Sequence, residues 1–176
     1  FTAEDGSESD AFRHFIGGMQ HHVPSALVMF APYVNSYRRL TQGASAPVNT
    51  KWGYDNRTVA FRGPRSEPAG RRIENRIPSS DANPYLALAA SLACGLIGMQ
   101  RKETPDQPVG ITANEDEIEL PRGLLEAVEL FEQDTALTEL LGLSFASTFA
   151  AIKRTEFETF MEVISPWERE FLLLNV

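Results

Sequence analysis

Cysteine is nearly absent from this sequence, and no hydrophobic run in it is long enough to cross a membrane. The single thiol, Cys94, lies in the apolar segment ALAASLACGLIGM, a context that favours a small buried side chain over a nucleophile or a metal ligand. One cysteine forms no internal disulfide, and neither an apolar run of about 20 residues nor an N-terminal signal segment is present. These absences predict a cytoplasmic protein with no membrane partner.

The chain also lacks a positive net charge. Its formal charge of −8 argues against nucleic acid as a partner, since polyanion binding requires a basic surface. Residues 38–76 nevertheless hold nine basic side chains against three acidic ones, a local charge of +6, and eight of the nine are arginine. Arginine matches phosphate and carboxylate geometry better than lysine does. The segment indicates an anion site, with a solvated basic face as the simpler alternative.

The first part of the chain predicts helix. The opening FTAEDGSESD predicts a polar loop, and a first residue other than Met is typical of a fragment or a processed form. Ser9 or Asp10 can then cap a helix. Its apolar positions recur at helical spacing: Phe12, Phe15, Ile16 and Met19. Pro24 is expected to break this helix and start a shorter one.

The middle of the chain predicts loops, two strands and a core helix. Residues 32–47 lose periodicity and are expected to form a loop that carries Arg38 and Arg39. Residues 58–62 and 72–77 predict paired antiparallel strands. A helix that starts near Asn83 and runs through Met99 is apolar on nearly all faces, so it is expected to be buried behind the strands.

The last third predicts helices after an irregular segment. Residues 100–120 contain prolines and an acidic cluster, which predict a surface loop. The cluster consists of Glu115, Asp116, Glu117 and Glu119. Helical patterns then cover most of 121–176. The predicted fold class is therefore α+β, with a small antiparallel sheet and core helices in 1–99 and a helical subdomain in 121–176.

Four of the six residues in the segment RRIENR at 71–76 are charged: three arginines and one glutamate. Side chains alternate along a strand, so Arg72, Glu74 and Arg76 are expected on one face, opposite Ile73 and Ile77. A salt-bridge ladder explains the glutamate but not the surplus arginine. With Arg57 and Arg62 flanking the neighbouring strand, several guanidiniums would converge on one carboxylate, an arrangement that an external anion would stabilise. Phosphoryl transfer uses such arginines, together with carboxylates that hold divalent metals.

The sequence also resembles a known family. Its segments FIGGM (15–19), NSYRRL (35–40), APVN (46–49), NRTVAFR (56–62), RRIENR (71–76) and ANPYLALAA (82–90) resemble, in order and spacing, the C-terminal half of the glutamine synthetase catalytic domain. The resemblance covers 12–99 closely and the helical remainder more loosely, and that remainder is most similar to the γ-glutamylpolyamine synthetase branch. It implies that the N-terminal domain and the first half of the catalytic domain lie outside this chain.

The resemblance implies a role for six residues. Arg39 and Arg76 match arginines that hold the glutamate substrate. Arg57 and Arg62 match catalytic arginines that contact the transferred phosphate and ATP, and Arg72 matches a further ATP-binding arginine. Glu74 matches a ligand of Mg²⁺ or Mn²⁺. The implied reaction is phosphorylation of the glutamate γ-carboxylate by ATP, followed by attack of an amine on the acyl phosphate, in a cytoplasmic ring-shaped homo-oligomer, a dodecamer.

Two positions depart from the family pattern. Ser45 stands where ammonia-using members carry a glutamate that closes the site and helps deprotonate ammonium, which favours an organic amine or polyamine as the second substrate. Ala69 stands where many relatives have a nucleotide-facing lysine. The alternatives are a glutamine synthetase that uses ammonia and a non-catalytic relative that keeps the fold for assembly or binding.

The histidines and two aromatic residues are predicted to be structural. His14, His21 and His22 lie on or near the end of the first helix, where packing or surface histidines are commoner than metal ligands without a carboxylate nearby. Trp52 and Tyr54 are expected to shape the turn before Arg57, with stacking on a nucleotide base as the alternative.

Overall fold

Residues 1–110, 112–113 and 119–175 are described by a computed structural model. The acidic residues Glu115, Asp116 and Glu117 lie outside this range. The structure is α+β, as the sequence predicts, with six helices and a small sheet in the described chain. The helices are α1 (Asp10–Phe30), α2 (Pro84–Arg101), α3 (Leu124–Gln133), α4 (Thr135–Leu141), α5 (Leu143–Met161) and α6 (Pro166–Phe171). The strands are β1 (Trp52–Tyr54), β2 (Phe61–Gly63) and β3 (Glu74–Asn75).

The core helix α1 begins where the sequence predicts but does not break at Pro24. The Ser9 side chain caps it by accepting from the Phe12 N–H at 3.2 Å. The predicted break is wrong, because the helix continues through Pro24 to Phe30. A proline inside a helix costs about 3 kcal/mol. Val23 and Leu27 beside it are completely buried, and each such burial contributes about 1.5–3 kcal/mol, so tertiary packing outweighs the local cost.

Helix α2 packs against α1 along one face only. Its Asn83 side chain caps the first turn by accepting from the N–H groups of Tyr85 and Leu86. The face that includes Ala90, Cys94 and Ile97 is buried. The prediction that the whole helix is buried is wrong for the opposite face, whose exposed large residues are Tyr85, Leu88, Leu92, Leu96 and Met99. Hydrophobicity on all faces does not reveal which face this chain itself covers.

The sheet contains the predicted antiparallel pair and one further strand. β2 pairs antiparallel with β3, with Arg62 opposite Glu74, and parallel with β1. β1 is a correction to the sequence analysis, which assigned Trp52 and Tyr54 to a turn. Their structural role is confirmed: Trp52 is 3% exposed and donates to the Asp106 carbonyl at 2.7 Å, and the Tyr54 hydroxyl contacts Glu8 at 2.6 Å. Burial, followed by contact with Glu8, raises the pKa of Tyr54 to about 12.

Two predicted loops are more ordered than their composition indicates. Within 32–47, residues Val34–Arg39 form a 3₁₀ helix, in which the Tyr33 N–H donates to the Ser36 hydroxyl. A 3₁₀ helix has about three residues per turn, so a search for a period of about 3.6 residues does not detect it. The segment 100–120 starts later than predicted, because α2 continues to Arg101. Its described part is tied to the sheet region by the Val109 N–H on the Trp52 carbonyl and the Glu119 N–H on the Val48 carbonyl.

The C-terminal helices follow the sequence pattern closely. α3 packs against α1, and α5 packs against α3. No single helix of the described chain is long and apolar enough to cross a membrane. One pair of segments, Thr135–Leu141 and Leu143–Phe171, meets those limits together on length and composition alone, across a bend of 109°, which is weak support for a span.

Candidate active site

Arg57 lies on the short link, residues 55–60, that joins the parallel strands β1 and β2. The backbone of this link is held by its own side chains, because Asn56 accepts from the Thr58 N–H at 2.8 Å and Asn56 donates to the Val109 carbonyl at 3.1 Å. Arg76 donates to the carbonyls of Arg57 and of Val59. The Arg57 side chain is exposed and makes no hydrogen bond or ion pair with any described residue. The backbone of Arg57 is held in place, and its exposed guanidinium is accessible to an anion.

Two further arginines meet at Glu74. Arg62 Nη1 lies 2.9 Å from Glu74 Oε2, and Arg76 Nε lies 3.5 Å from Glu74 Oε1. The hydrogen bond to Glu74 is the main cause that raises the pKa of Arg62. Asp55 contacts the same guanidinium at 3.2 Å, from a backbone with φ of 47°. The antiparallel register that puts Arg62 opposite Glu74 therefore builds the predicted convergence of guanidiniums on one carboxylate.

Arg39 reaches the same end of the sheet from the 3₁₀ helix. Its Nη2 donates to the carbonyl of Ile77, the residue after Arg76. Burial lowers the pKa of Arg39, and the charge of Asp81 offsets part of that effect. Its Nε is buried and has no hydrogen-bond partner among the described residues. A buried donor without a partner is costly, which marks Arg39 as a candidate ligand contact.

Arg72 does not join this group. Only Glu74 and Asn75 have strand geometry, so the predicted alternation holds from 74 onward: Asn75 donates to Ser91 of α2 at 3.1 Å, on the face opposite Glu74. Arg72 precedes the strand, is exposed, and donates to the Gly70 carbonyl at 3.2 Å. Because Arg72 lies outside β3, strand geometry does not place it on the face of Glu74, and the shared face of Arg72, Glu74 and Arg76 stays a prediction.

Arg71 has a structural role that the sequence analysis missed. It donates to the carbonyls of Gly6 and Ser7 and to the Thr2 hydroxyl, and so holds the first segment of the chain. One arginine of RRIENR is thus explained without any ligand. A signal for it in the sequence would require knowing that 1–8 folds back beside 68–71, a long-range contact with no local pattern.

We expect Arg71→Ala to release residues 1–9 while Arg72→Ala leaves them unchanged. Each lost hydrogen bond contributes about 0.5–1.5 kcal/mol, so amide exchange at Ala3, Gly6 and Ser9 should become about threefold faster or more. Hydrogen exchange followed by mass spectrometry measures this. Equal exchange in the two variants would contradict the assigned role of Arg71.

Glu74 fits a divalent metal only as one contributor. Its side chain is 42% exposed and offers carboxylate oxygens, the donors that Mg²⁺ prefers. In the described chain it belongs to no cluster of three ligand groups. Mg²⁺ is commonly held by one or two carboxylates together with substrate phosphates, so Glu74 would supply part of such a site and the remaining donors would come from elsewhere.

The two departures from the family pattern lie on exposed surface. Ser45 is exposed, between the 3₁₀ helix and β1. Ala69 is exposed in a short 3₁₀ turn, Pro68–Gly70, directly before Arg71.

Comparison with known proteins identifies the family. Residues 1–172 match the glutamine synthetase catalytic domain, and the chain belongs to that family. It is 41% identical to the glutamine synthetase of Thermococcus kodakarensis over 94% of this chain and 39% of that protein. It is 37% identical to a γ-glutamylethanolamide synthetase of Streptomyces coelicolor over 94% of this chain and 36% of that protein. The solved structure of GmaS without ligand matches with a TM-score of 0.86 at 36% identity, covering 98% of this chain and 41% of that one. The chain spans about two fifths of the length of these relatives.

Proposed function

We propose that this chain is the C-terminal part of the catalytic domain of an ATP-dependent ligase that joins the γ-carboxylate of glutamate to an organic amine. The observation that carries the proposal is the surplus of guanidinium charge at one end of the sheet. Arg62 and Arg76 share the carboxylate of Glu74, Arg62 also contacts Asp55, and Arg57 has no partner in the described chain, so three guanidiniums stand against two carboxylates. Clustered like charges are costly unless an anion joins them, and phosphate and carboxylate groups are the anions that arginine fits.

The proposed chemistry divides these residues by position. In the first step an oxygen of the glutamate γ-carboxylate bonds to the terminal phosphorus of ATP, and the bond from that phosphorus to the bridging oxygen breaks to release ADP. Arg57 and Arg62 would neutralise the phosphate oxygens throughout, Arg39 and Arg76 would hold the carboxylates of glutamate, and Arg72 would contact the nucleotide from outside the cluster. A divalent metal, with Glu74 as one ligand, would neutralise phosphate charge when bound.

In the second step the amine nitrogen bonds to the acyl carbon, phosphate leaves with the bridging oxygen, and the nitrogen loses a proton. The acyl phosphate must be shielded from water until then. We also propose that neighbouring subunits of a ring-shaped dodecamer supply the remaining walls of this site. The proposed protein is cytoplasmic, and residues 1–99 and 121–176 form its two proposed parts.

The amine is proposed to be organic because Ser45 provides no carboxylate. A small neutral residue removes a group that would attract ammonium and leaves room for a larger substituent. The similarity to a γ-glutamylethanolamide synthetase supports this choice, and the similarity to glutamine synthetases keeps ammonia as the alternative.

The test is ADP release by the full-length polypeptide with ATP, Mg²⁺, glutamate and a panel of amines that includes ammonium, ethanolamine, a monoamine and a polyamine. We expect the best organic amine to exceed ammonium about tenfold or more in kcat/KM. Efficient use of ammonium alone would establish the glutamine synthetase alternative instead. If titration calorimetry detects no binding of ATP with Mg²⁺, the non-catalytic alternative is correct.

Ser45→Glu is expected to shift the preference toward ammonium by about tenfold, which corresponds to about 1.4 kcal/mol. The reason is that a carboxylate attracts a compact cation and fills space that a larger amine requires. Ser45→Ala is the matched control, and its amine preference should equal that of the parent. An unchanged preference in Ser45→Glu would remove Ser45 from the amine site.

A further inference from the structure

A buried histidine lies between two carboxylates at the junction of α1, α2 and α4, away from the arginine cluster. His22 is 2% exposed. Its Nδ1 lies 2.6 Å from Asp134 Oδ2, and its Nε2 lies 3.4 Å from Glu103 Oε1. His22 was predicted to be a packing or surface histidine because no carboxylate is near it in the sequence, and the fold brings two carboxylates to it.

One buried side-chain atom of His22 and one of Glu103 have no hydrogen-bond partner in the described chain. The approach of Nε2 to Glu103 lacks hydrogen-bond geometry, and Nε2 has no other partner in the described chain. The second carboxylate oxygen of Glu103, Oε2, is also buried without a partner. Buried polar atoms are nearly always paired, so an unpaired Nε2 on His22 and an unpaired Oε2 on Glu103, in side chains that already approach each other to 3.4 Å through Oε1, point to a ligand that both side chains could bind.

A third donor stands beside this pair. His21 is exposed, and its ring centroid lies 4.8 Å from that of His22. One ligand atom each from His21, His22 and Glu103 lies within 4.8 Å of the others. Tetrahedral zinc, with bonds of about 2.0–2.2 Å, places its ligand atoms about 3.4 Å apart. The His22–Glu103 pair already has this separation, and the ligand atom of the exposed His21, now within 4.8 Å of the other two, would have to move closer to complete the site.

The two inner ligands are fixed by the backbone around them. A Cβ at Gly17 would lie 2.3 Å from the Glu103 carbonyl oxygen, so the turn after α2 is pressed directly onto α1. Asp134 is fixed as well, because its Oδ1 caps α4 by accepting from the Leu137 N–H at 3.0 Å. A carboxylate on the distal nitrogen of a metal-binding histidine sets the tautomer that leaves the other nitrogen free for the metal.

We propose that His21, His22 and Glu103 form a zinc site, with Asp134 orienting His22 and water in the fourth position. Two imidazoles and one carboxylate are donors that zinc accepts, and three protein ligands with one open position are an established zinc geometry. This site uses none of the residues assigned to glutamate, ATP or Mg²⁺, so it stands independently of the proposed ligase activity.

Arg101 is expected to weaken zinc binding at this site. It lines the same cleft as His21, His22 and Asp134, and its positive charge opposes a second cation. Arg101→Gln should therefore tighten zinc binding, by about threefold, whereas an unrelated charge removal such as Arg122→Gln should leave it unchanged.

The test is titration of the metal-free chain with Zn²⁺ against a chromophoric chelator at about pH 8, without ATP or glutamate. We expect one zinc per chain, lost or weakened about tenfold or more in His21→Ala and in Glu103→Gln. His14→Ala, on the same helix, and Glu74→Gln, at the other candidate metal ligand, are the matched controls and should bind as the parent does. Cobalt substitution should give the intense visible absorption of a tetrahedral site in the parent and not in His21→Ala.

Two results would contradict the proposed zinc site. Absence of saturable zinc binding would show that His22 and its two carboxylates form only an ion pair. Loss of binding in Glu74→Gln but not in His21→Ala would place the metal at the arginine cluster. His21 is exposed, so the thermal stability of His21→Ala should match the parent, and its circular dichroism confirms folding before zinc is added.

Discussion

Arg57→Ala is expected to lower kcat for ADP release by about a hundredfold or more in the full-length polypeptide, with no change in thermal stability. A fixed positive group that faces developing phosphate charge contributes about 10²–10³-fold to kcat. The fold should be unaffected, because the Arg57 side chain is exposed and pairs with no described residue, and only its backbone carbonyl is bound by Arg76. Steady-state kinetics and a thermal melt measure the two effects separately.

Two controls accompany this variant. Arg57→Lys keeps the charge but loses the planar fork, so it should recover part of the activity. Arg122→Ala removes an exposed arginine before α3, far along the chain, and should retain activity within about twofold. Full activity in Arg57→Ala would remove Arg57 from the phosphate site, and a large loss of stability would show that its role is structural.

Gly18→Ala is expected to destabilise the chain by about 2–3 kcal/mol or to prevent folding. A Cβ at Gly18 would lie 2.3 Å from the Cys94 carbonyl and 2.6 Å from the Gly98 Cα, so α1 and α2 would have to separate. Overpacking of this kind costs about 1–3 kcal/mol and at times more, and exceeds the gain of about 1 kcal/mol from replacing a helical glycine with alanine. Urea denaturation measures the difference.

Gly110→Ala is the control, since no atom of the described residues lies within 4 Å of a Cβ there, and its stability should change by less than about 0.5 kcal/mol. Gly98→Ala tests the same contact from the other helix. Because each substitution alone already separates the helices, the double variant should cost less than the two single costs combined. Equal stability of Gly18→Ala and Gly110→Ala would contradict the close approach of the helices.

Local signals in the sequence predicted most of the helical fold. Ser9, one of the two predicted caps, marks the start of α1, and α2 starts at the predicted helix entry, where the Asn83 side chain is the cap. The failures are tertiary. Pro24 stays helical because its neighbours are buried, and β1 is three residues long and held by a parallel partner, so neither fact has a local signature.

The candidate site was predicted in part. Alternation and spacing were sufficient to bring Glu74 together with Arg62 and Arg76, because the register of β2 on β3 follows from the two short strands. Sequence could not separate Arg71 from Arg72, since the difference lies in a contact with residues 2–7. It also could not find the carboxylates of His22, which are separated from it by about 80 and 110 residues.

The position of Arg57 in the candidate active site depends on the length of the six-residue link between the parallel strands β1 and β2. Parallel neighbours usually need a crossover of about a dozen residues or more, and here residues 55–60 complete the return. Both ends of the link are fixed in the sheet and Arg76 is bound to its carbonyls, so an inserted or deleted residue would disturb these hydrogen bonds. The number of residues in the link therefore determines where Arg57 lies. We expect the link to tolerate side-chain substitutions far better than insertions or deletions.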